Sequence, residues 1–408
     1  MVQSVMCAEE SASPTVPVLV PVAEACIGLL EAFTRVGDGR CDQGRDHPVA
    51  AVLALAAAAT VAGMRGYTAI TGWVADVPAA IRHDLYARTG GRLRAGPASR
   101  ATIWRVLTGA DPEAFDAAVG AWLTRGLCAQ DEADRHTRDE QDGPVPMMQV
   151  RLDGKTVRGA VDAEGNQMHL LAALVGRPGH TTVVAAQAEV GAKTNEVPRA
   201  TTVLDHIDLA GAVVSADALH TVKATATYIH DRDGFFLLPV KQNRAALFDA
   251  CDALPWARTP IAHEHTQIGH GRITRRTIRV LPAPETLPFP HVQQVYLIER
   301  YVTDTAGGSP TAVAALGVTN LPQKASPAML ASHVKDHWGV ESLHWLRDTC
   351  WREDNSRVRT RSGPRILAAL RNLAIGALRL AGRRDITEAT RWANRYMNRP
   401  FTILGLTL

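Results

Sequence analysis

Residues 147–190 read MMQVRLDGKTVRGAVDAEGNQMHLLAALVGRPGHTTVVAAQAEV. Three of its runs, MMQVRLD, MHLLAALV and TTVVAAQAEV, are strand-like and are separated by turns containing Gly and Asn, so the stretch predicts three successive strands. Downstream, EVPRATTVLDHID predicts a helix, GAVVSAD a strand, TVKATATYIHDR a helix, FFLLPVK a strand, and a further helix starts near Asn243. A meander followed by alternating helices and strands describes a mixed α/β domain.

That order is the order of a ribonuclease-H-like fold, although mixed α/β domains with other chemistries also alternate strands with helices. Residues 255–325 break the rhythm with RITRRTIRVL, VQQVYLIERYV and AVAALGVT, which predict a mainly β insertion. Helical periodicity returns in SPAMLASHVKDHWGVESLHWLRD and PRILAALRNLAIGALRL. Upstream, residues 18–128 are helical in pattern, with Ser99 and Asp111 where caps belong. The Ala-rich run from Val49 to Ala62 reads as a buried helix, and SRATIWRVL resembles the second helix of a helix-turn-helix, though a Ser-capped short helix is common. Residues 129–145 are polar and charged and end in Gly-Pro-Val, which reads as a linker; residues 1–17 lack periodicity and read as disordered. The expected fold is therefore α+β with α/β character. A helical domain (18–128) precedes a ribonuclease-H-like core (146–408), which carries its β-rich insertion before the helix containing Glu341.

Composition excludes little. The 408 residues are 46% hydrophobic and 21% charged, with a net charge of +3, as in ordinary soluble domains. No apolar run reaches the roughly 18 residues of a membrane span, and no secretory signal is evident, so a cytoplasmic protein without a membrane partner is expected. Six scattered cysteines without a CxxC pair offer neither a zinc knuckle nor a disulfide framework. Charge is unevenly spread. Residues 1–150 hold 13 Lys and Arg against 18 Asp and Glu, a net of −5, whereas residues 331–408 hold 14 against 7, a net of +7. A basic C-terminal segment is compatible with a polyanionic partner.

Three acids stand out. Asp153 closes the first predicted strand in Leu152-Asp153-Gly154-Lys155-Thr156, where Asp-Gly is also a common hairpin turn. Gly154-Lys155-Thr156 does not complete a phosphate-binding P-loop, because Gln149 stands where the first glycine belongs. Asp217 closes the fourth strand, where it is equally a helix cap. In a ribonuclease-H-like order the first and fourth strands are neighbours, so the two aspartates would face one another and repel unless a cation lay between them. Glu341 lies in a helix with His337, Trp338, His344, Trp345 and Asp348 at offsets −4, −3, +3, +4 and +7, one face. A zinc site is disfavoured, since His337 and His344 are seven apart rather than four. Carboxylates of this kind can hold two magnesium ions about 4 Å apart, which activate an attacking oxygen and stabilise a leaving one in phosphodiester chemistry.

The blocks LDGKTVRGA, KTNEVP, SADALHT, FFLLPVKQN, GHGRITRR, HWGVESLHWLRD and REDNSRVRT occur in that order. With the helical segment before them, they resemble the H-repeat-type bacterial insertion-sequence transposases, which are DDE transposases, from about residue 18 to the C-terminus. The resemblance implies Asp153, Asp217 and Glu341 as catalytic and metal-binding residues. It also implies Mg²⁺ or Mn²⁺, two ions per site, as cofactor. Its implied activity is an endonuclease that cleaves DNA strands and transfers them in transposition, with double-stranded DNA (inverted-repeat ends and target) as partner and homo-oligomerisation on DNA, in the bacterial cytoplasm with the nucleoid.

Candidate phosphate contacts are Lys155, Arg158, Lys241, Arg272, Arg275, Arg276, Arg279, Arg357, Arg359, Arg361 and Arg365, any of which is equally a solvated surface charge. The sequence departs from the family at Thr274 (usually Glu), Arg275 (usually Thr) and Gln242 (usually Gly). His337 and Asp348 stand where a neighbouring transposase group has Arg and Lys, which leaves Asp348 as a further metal or DNA contact. The 124 residues between Asp217 and Glu341 leave room for the insertion. The alternative is a catalytically silent, domesticated or decayed relative that only binds DNA.

Overall fold

The computed structural model describes residues 28–41, 45–91, 96–137, 145–191, 196–269, 271–309 and 311–407. Among the described residues six helices come first: α1 (Leu29–Thr34), α2 (Val49–Val61), α3 (Tyr67–Ala75), α4 (Ala79–Arg88), α5 (Arg100–Gly109) and α6 (Pro112–His136). Ser99 Oγ accepts from the Thr102 backbone N–H at 3.2 Å, and Asp111 Oδ1 from those of Glu113 and Ala114 at 3.0 and 3.1 Å. Both occupy amide donors that a helix start leaves open. From Ala50 onward α2 is buried on every side, because its small side chains let neighbours approach all round.

The helix α6 overruns the boundary expected from sequence. Residues 129–136, read as the start of a linker, are its last two turns. Asp131 among them is engaged rather than solvated, forming a bidentate pair with Arg177 at 2.6 and 2.9 Å. The remainder of that linker from 138 to 144, and the N-terminal segment 1–17, lie outside the described residues.

Next come β1 (Gln149–Val161), β2 (Gln167–Gly176), β3 (Val183–Val190), α7 (Val197–Leu204), β4 (Val213–Ser215), α8 (Lys223–His230), β5 (Phe235–Val240) and α9 (Ala245–Asp252). The chain continues through β6 (His263–Gly269), β7 (Arg272–Pro282), β8 (Gln294–Asp304), β9 (Thr311–Thr319), α10 (Pro327–Asp336), α11 (Gly339–Trp351), α12 (Gly363–Leu380), α13 (Ile386–Asn394) and α14 (Asn398–Ile403). The nine strands among the described residues form one sheet in the order β3-β2-β1-β4-β5-β9-β8-β7-β6. β1, β2 and β3 are an antiparallel meander, β4 and β5 join in parallel, and β9 returns antiparallel on β5. The fold is thus mixed α+β, with N-terminal helices and one large mixed sheet. The segment expected as an insertion extends the same sheet, because β9 pairs with β5 from Leu237↔Thr319 to Val240↔Leu316.

One hydrophobic core runs from the N-terminal helices to the sheet through α12, and includes Leu53, Phe115, Leu123, Leu174 and Leu370. Glycine sets the spacing where α6 and α12 cross: a Cβ on Gly376 would press into Leu123, and one on Gly126 into Leu380. The N-terminal helices therefore share their core with the sheet rather than enclosing one of their own. Among the described residues no helix is long and apolar enough to cross a membrane.

Candidate active site

Register brings the two aspartates together. β1 pairs in parallel with β4 at Gln149↔Val213, Val150↔Val214 and Arg151↔Ser215, and two residues beyond the last pair on each chain stand Asp153 and Asp217. Asp153 is not at a strand end, because β1 continues to Val161. Its antiparallel ladder with β2, with Asp153 opposite Ala172 and Gly154 opposite Leu171, overrides the turn tendency of Asp-Gly. Asp217 follows the three-residue β4 and caps a short 3-10 turn (Ala218–His220), its Oδ1 accepting from the Leu219 N–H at 2.9 Å.

Glu341 stands exposed in the first turn of α11. Its charge reaches Asp153, whose carboxyl is pushed up to about 6, first by burial and then by the negative charges of Glu196, Asp217 and Glu341, against a lowering bond from the Gly154 backbone. His344 Nδ1 lies 3.5 Å from Asp153 Oδ2, but burial, with Arg347 and Lys155 nearby, takes its pKa down to about 3. The ring is neutral at ordinary pH and gives Asp153 no cation. Its Nε2 finds no hydrogen-bond partner among the described residues.

The stripe expected around Glu341 divides. The helix breaks at His337 and Trp338, between α10 and α11. His337 turns inward, with Nδ1 3.0 Å from Ser215 Oγ, and burial lowers its pKa to about 4. Trp338 and Trp345 point outward, 54% and 61% exposed, and the Arg300 guanidinium lies over the Trp338 ring at 5.3 Å. Asp348 is engaged by Lys155, Nζ to Oδ2 at 2.8 Å, and Lys155 also reaches Asp354 at 3.3 Å. Asp348 is therefore not a free ligand. Glu353 is not one either, since it is buried between Arg347 (2.8 and 2.9 Å) and Arg371 (2.7 Å).

The basic candidates also separate. Lys155 is buried in its ion pairs and is not presented to a DNA backbone, and Arg365 is buried against Asp116 at 2.7 Å. Both had looked like surface charges because their partners are remote in sequence. Arg158, Arg357, Arg359 and Arg361 are exposed and lie near one another, because the chain at Ser356 runs against β1 so closely that a Cβ on Gly159 would strike the Ser356 carbonyl. Lys241, Arg272 and Arg275 are exposed elsewhere, while Arg276 and Arg279 are half-buried. The arginines of β7 lie five strands from β1 in the sheet.

One functional candidate had gone unmarked. Glu196, at the start of α7, has Oε1 2.6 Å from His169 Nε2 and Oε2 3.2 Å from His220 Nε2. Its only sequence signal was membership of the block KTNEVP.

The acids present suit a divalent cation in kind: all are hard oxygen donors, and Asp153 carries unbalanced negative charge. Among the described residues no three His, Cys, Asp or Glu side chains are grouped closely enough, as they stand, to hold a metal ion. The fit is one of charge and donor type.

Comparison with known proteins defines the class. Residues 152–376 match the family described as Transposase DDE domain, and residues 30–123 match the one described as DDE_Tnp_1-associated. The first match covers more than half of the chain, which therefore belongs to the DDE transposases, within the H-repeat-type group. YhhI of Escherichia coli K12, named for transposase function and association with the H repeat, is 22% identical over 365 residues, 86% of this chain and 90% of that one. YncI of Escherichia coli O157:H7, likewise named for transposase function, is 27% identical over 295 residues, 68% of this chain and 70% of its own. A protein of Xanthobacter autotrophicus from the dhlA 3′ region is 30% identical over 250 residues, 59% and 76% of the two chains. A piggyBac transposase synaptic complex with hairpin DNA aligns with a TM-score of 0.40 at 9% identity, over 87% of this chain and 72% of that one. That likeness is too loose to carry an argument.

Proposed function

We propose that this transposase cuts and rejoins DNA at element ends with Asp153, Asp217 and Glu341, on a ribonuclease-H-like core formed by β3-β2-β1-β4-β5. The observation that carries the reading is the β1–β4 register, whose last pair, Arg151↔Ser215, lies two residues before both Asp153 and Asp217, together with the raised carboxyl of Asp153. Like charges held together without a facing cation form a place where a divalent ion lowers the energy. When bound, Mg²⁺ or Mn²⁺, two per site, would polarise the scissile phosphate and its attacking and leaving oxygens. Asp153, Asp217 and Glu341 would hold the ions. His344, neutral beside Asp153, leaves the site's negative charge undiminished.

The exposed arginines 158, 357, 359 and 361 would follow phosphates beside the acids, and Arg272 and Arg275 would contact DNA farther along the sheet. A homo-oligomer would hold two ends together. The test uses DNA carrying the element ends. Asp153→Asn and Asp217→Asn should abolish end cleavage and strand transfer together while gel-shift affinity persists, because binding rests on contacts to phosphates. Ca²⁺ in place of Mg²⁺ should allow binding without chemistry. Full cleavage by Asp153→Asn in magnesium would defeat the mechanism.

A further inference from the structure

Four elements meet beside Asp153 through the carboxylate of Glu196. Besides its contacts to His169 on β2 and His220 in the turn capped by Asp217, the chain extends to β1, with Thr156 Oγ1 2.9 Å from His169 Nδ1. Hydrogen bonds from His169 and His220 lower the Glu196 carboxyl to about 2. The ionised group is acceptor-only, so each ring donates from Nε2, and the Thr156 hydroxyl donates to His169 Nδ1. Gly154 is what lets this carboxylate lie against the backbone next to Asp153: a Cβ there would run into Glu196 Oε1 and His169 Nε2. His220 is fully buried, and its Nδ1 has no partner among the described residues.

The two aspartates differ in how they are held. Asp153 lies within a ladder of backbone hydrogen bonds to β2. Asp217 lies beyond the last β1–β4 pair, Arg151↔Ser215, so the ladder ends before reaching it. The turn is held to β5 by Thr221 Oγ1 donating to the Pro239 carbonyl at 2.6 Å, and Asn243 Nδ2 donates to the Ala218 carbonyl at 3.0 Å; toward β1 and β2, the side on which Asp153 lies, its tie is the His220–Glu196–His169 link. We infer that Glu196 is a positioning residue, which through His169 and His220 fixes the separation of Asp153 and Asp217. This rests on the two-aspartate cation site proposed above.

The test is made on the full chain with two readouts: Mn²⁺ affinity by electron paramagnetic resonance, and the Mg²⁺ concentration giving half-maximal cleavage of end DNA. Outer residues that orient metal ligands typically contribute about 10- to 100-fold in metal affinity or activity. Glu196→Ala should weaken Mn²⁺ binding by about tenfold or more, raise the magnesium requirement by the same factor, and leave DNA binding at the parent value. Glu196→Gln should stay near the parent on both readouts, since its carbonyl accepts from one ring while its amide donates to the other in the alternative tautomer. Should Glu196→Ala fail to fold, His169→Ala severs the same chain from a quarter-exposed position and must show the same shift.

A folded Glu196→Ala or His169→Ala with parental Mn²⁺ affinity and magnesium dependence overturns the inference. A Glu196→Gln as impaired as Glu196→Ala overturns it too, because the charge rather than the link would then matter. Asp153→Asn is run alongside. If that variant binds Mn²⁺ and cleaves like the parent, the cation site itself falls, whatever Glu196 does.

Discussion

Glu353 and Asp153 are both held against α11, and their surroundings have opposite effects. Glu353 is enclosed by Arg347 and Arg371, and although burial alone would raise its carboxyl, the two guanidinium groups bring it to about 2. Asp153 faces a neutral histidine and three carboxylates and is pushed up to about 6. The same residue chemistry, a buried acid within reach of one helix, thus serves two ends. A carboxylate whose compensating cation belongs to the protein is part of the scaffold, and one without such a cation is a place for something the protein must acquire.

Exchange of consequences is the strongest test of that contrast. Asp153→Asn should lower cleavage about a thousandfold, because several kcal/mol of transition-state stabilisation by bound ions convert at tenfold per ~1.4 kcal/mol. Its denaturation midpoint without metal should not fall. Glu353→Ala should instead destabilise by about 3–5 kcal/mol, as it leaves two buried arginines uncompensated, and urea unfolding would measure it. A stable Glu353→Ala, or an Asp153→Asn that unfolds, would erase the distinction.

Next in size is the dependence of stability on pH in the absence of metal, where the two acids have opposite signs. Asp153 has its folded pKa raised from 3.8 to about 6, so its contribution is present below 3.8 and lost as pH rises through 6. Glu353 has its folded pKa lowered from 4.5 to about 2, so its contribution is present above 4.5 and lost as pH falls toward 2. Between pH 4 and 6 the Asp153 component favours the folded protein on acidification, by about 3 kcal/mol at most, with buried Asp116 acting in the same direction and the depressed His337 and His344 in the opposite one. Asp153→Asn should remove that component of the midpoint-against-pH curve, and an unchanged curve would refute the shift. By the same raised carboxyl, Mn²⁺ binding should weaken as pH falls through 6.

The smallest effects belong to arginines outside either cluster. Arg357→Ala and Arg359→Ala should each leave stability within about 0.5 kcal/mol, and each should reduce the salt dependence of DNA binding by about one phosphate contact. Unchanged slopes would remove these two residues from the DNA surface.

What was legible from sequence followed local pattern. The meander, the alternation after it and the Ser99 and Asp111 caps are rules of neighbouring residues, and they describe the described chain well. The extension of β1 past Asp153 was not legible, because Asp-Gly favours a turn locally and only pairing with β2 decides otherwise. β6 was missed because HEHTQIG is exposed along nearly its whole length and shows no alternation of apolar and polar residues. α4 falls within the stretch read as helical but was not singled out, because IRHDLYAR is too polar to show a face, and α13 and α14 carried no expectation. The break between α10 and α11 left no proline or glycine-rich signal before His337.

For the site, spacing and resemblance pointed to the three acids, but not to what surrounds them. Glu196 takes its meaning from His169 and His220, 27 and 24 residues away, and Arg365 from Asp116, 249 residues away. Lys155 looked like a surface cation for the same reason. Pairings across such separations leave no periodic trace.

The antiparallel return of β9 onto β5 has a consequence for how copies of the molecule avoid adhering. Without β6–β9, β5 would end the sheet and offer its backbone groups to any passing strand. The meander moves that rim to β6, at the opposite end of the sheet from β3. There the strand is almost wholly exposed and polar but for Ile268, and Glu264 is paired with Arg275 at 2.7 Å. Charge on a rim discourages edge-to-edge addition. The β6 rim thus lies far from Asp153 in strand order, and the parallel strand β5 is sealed by the chain's own later residues.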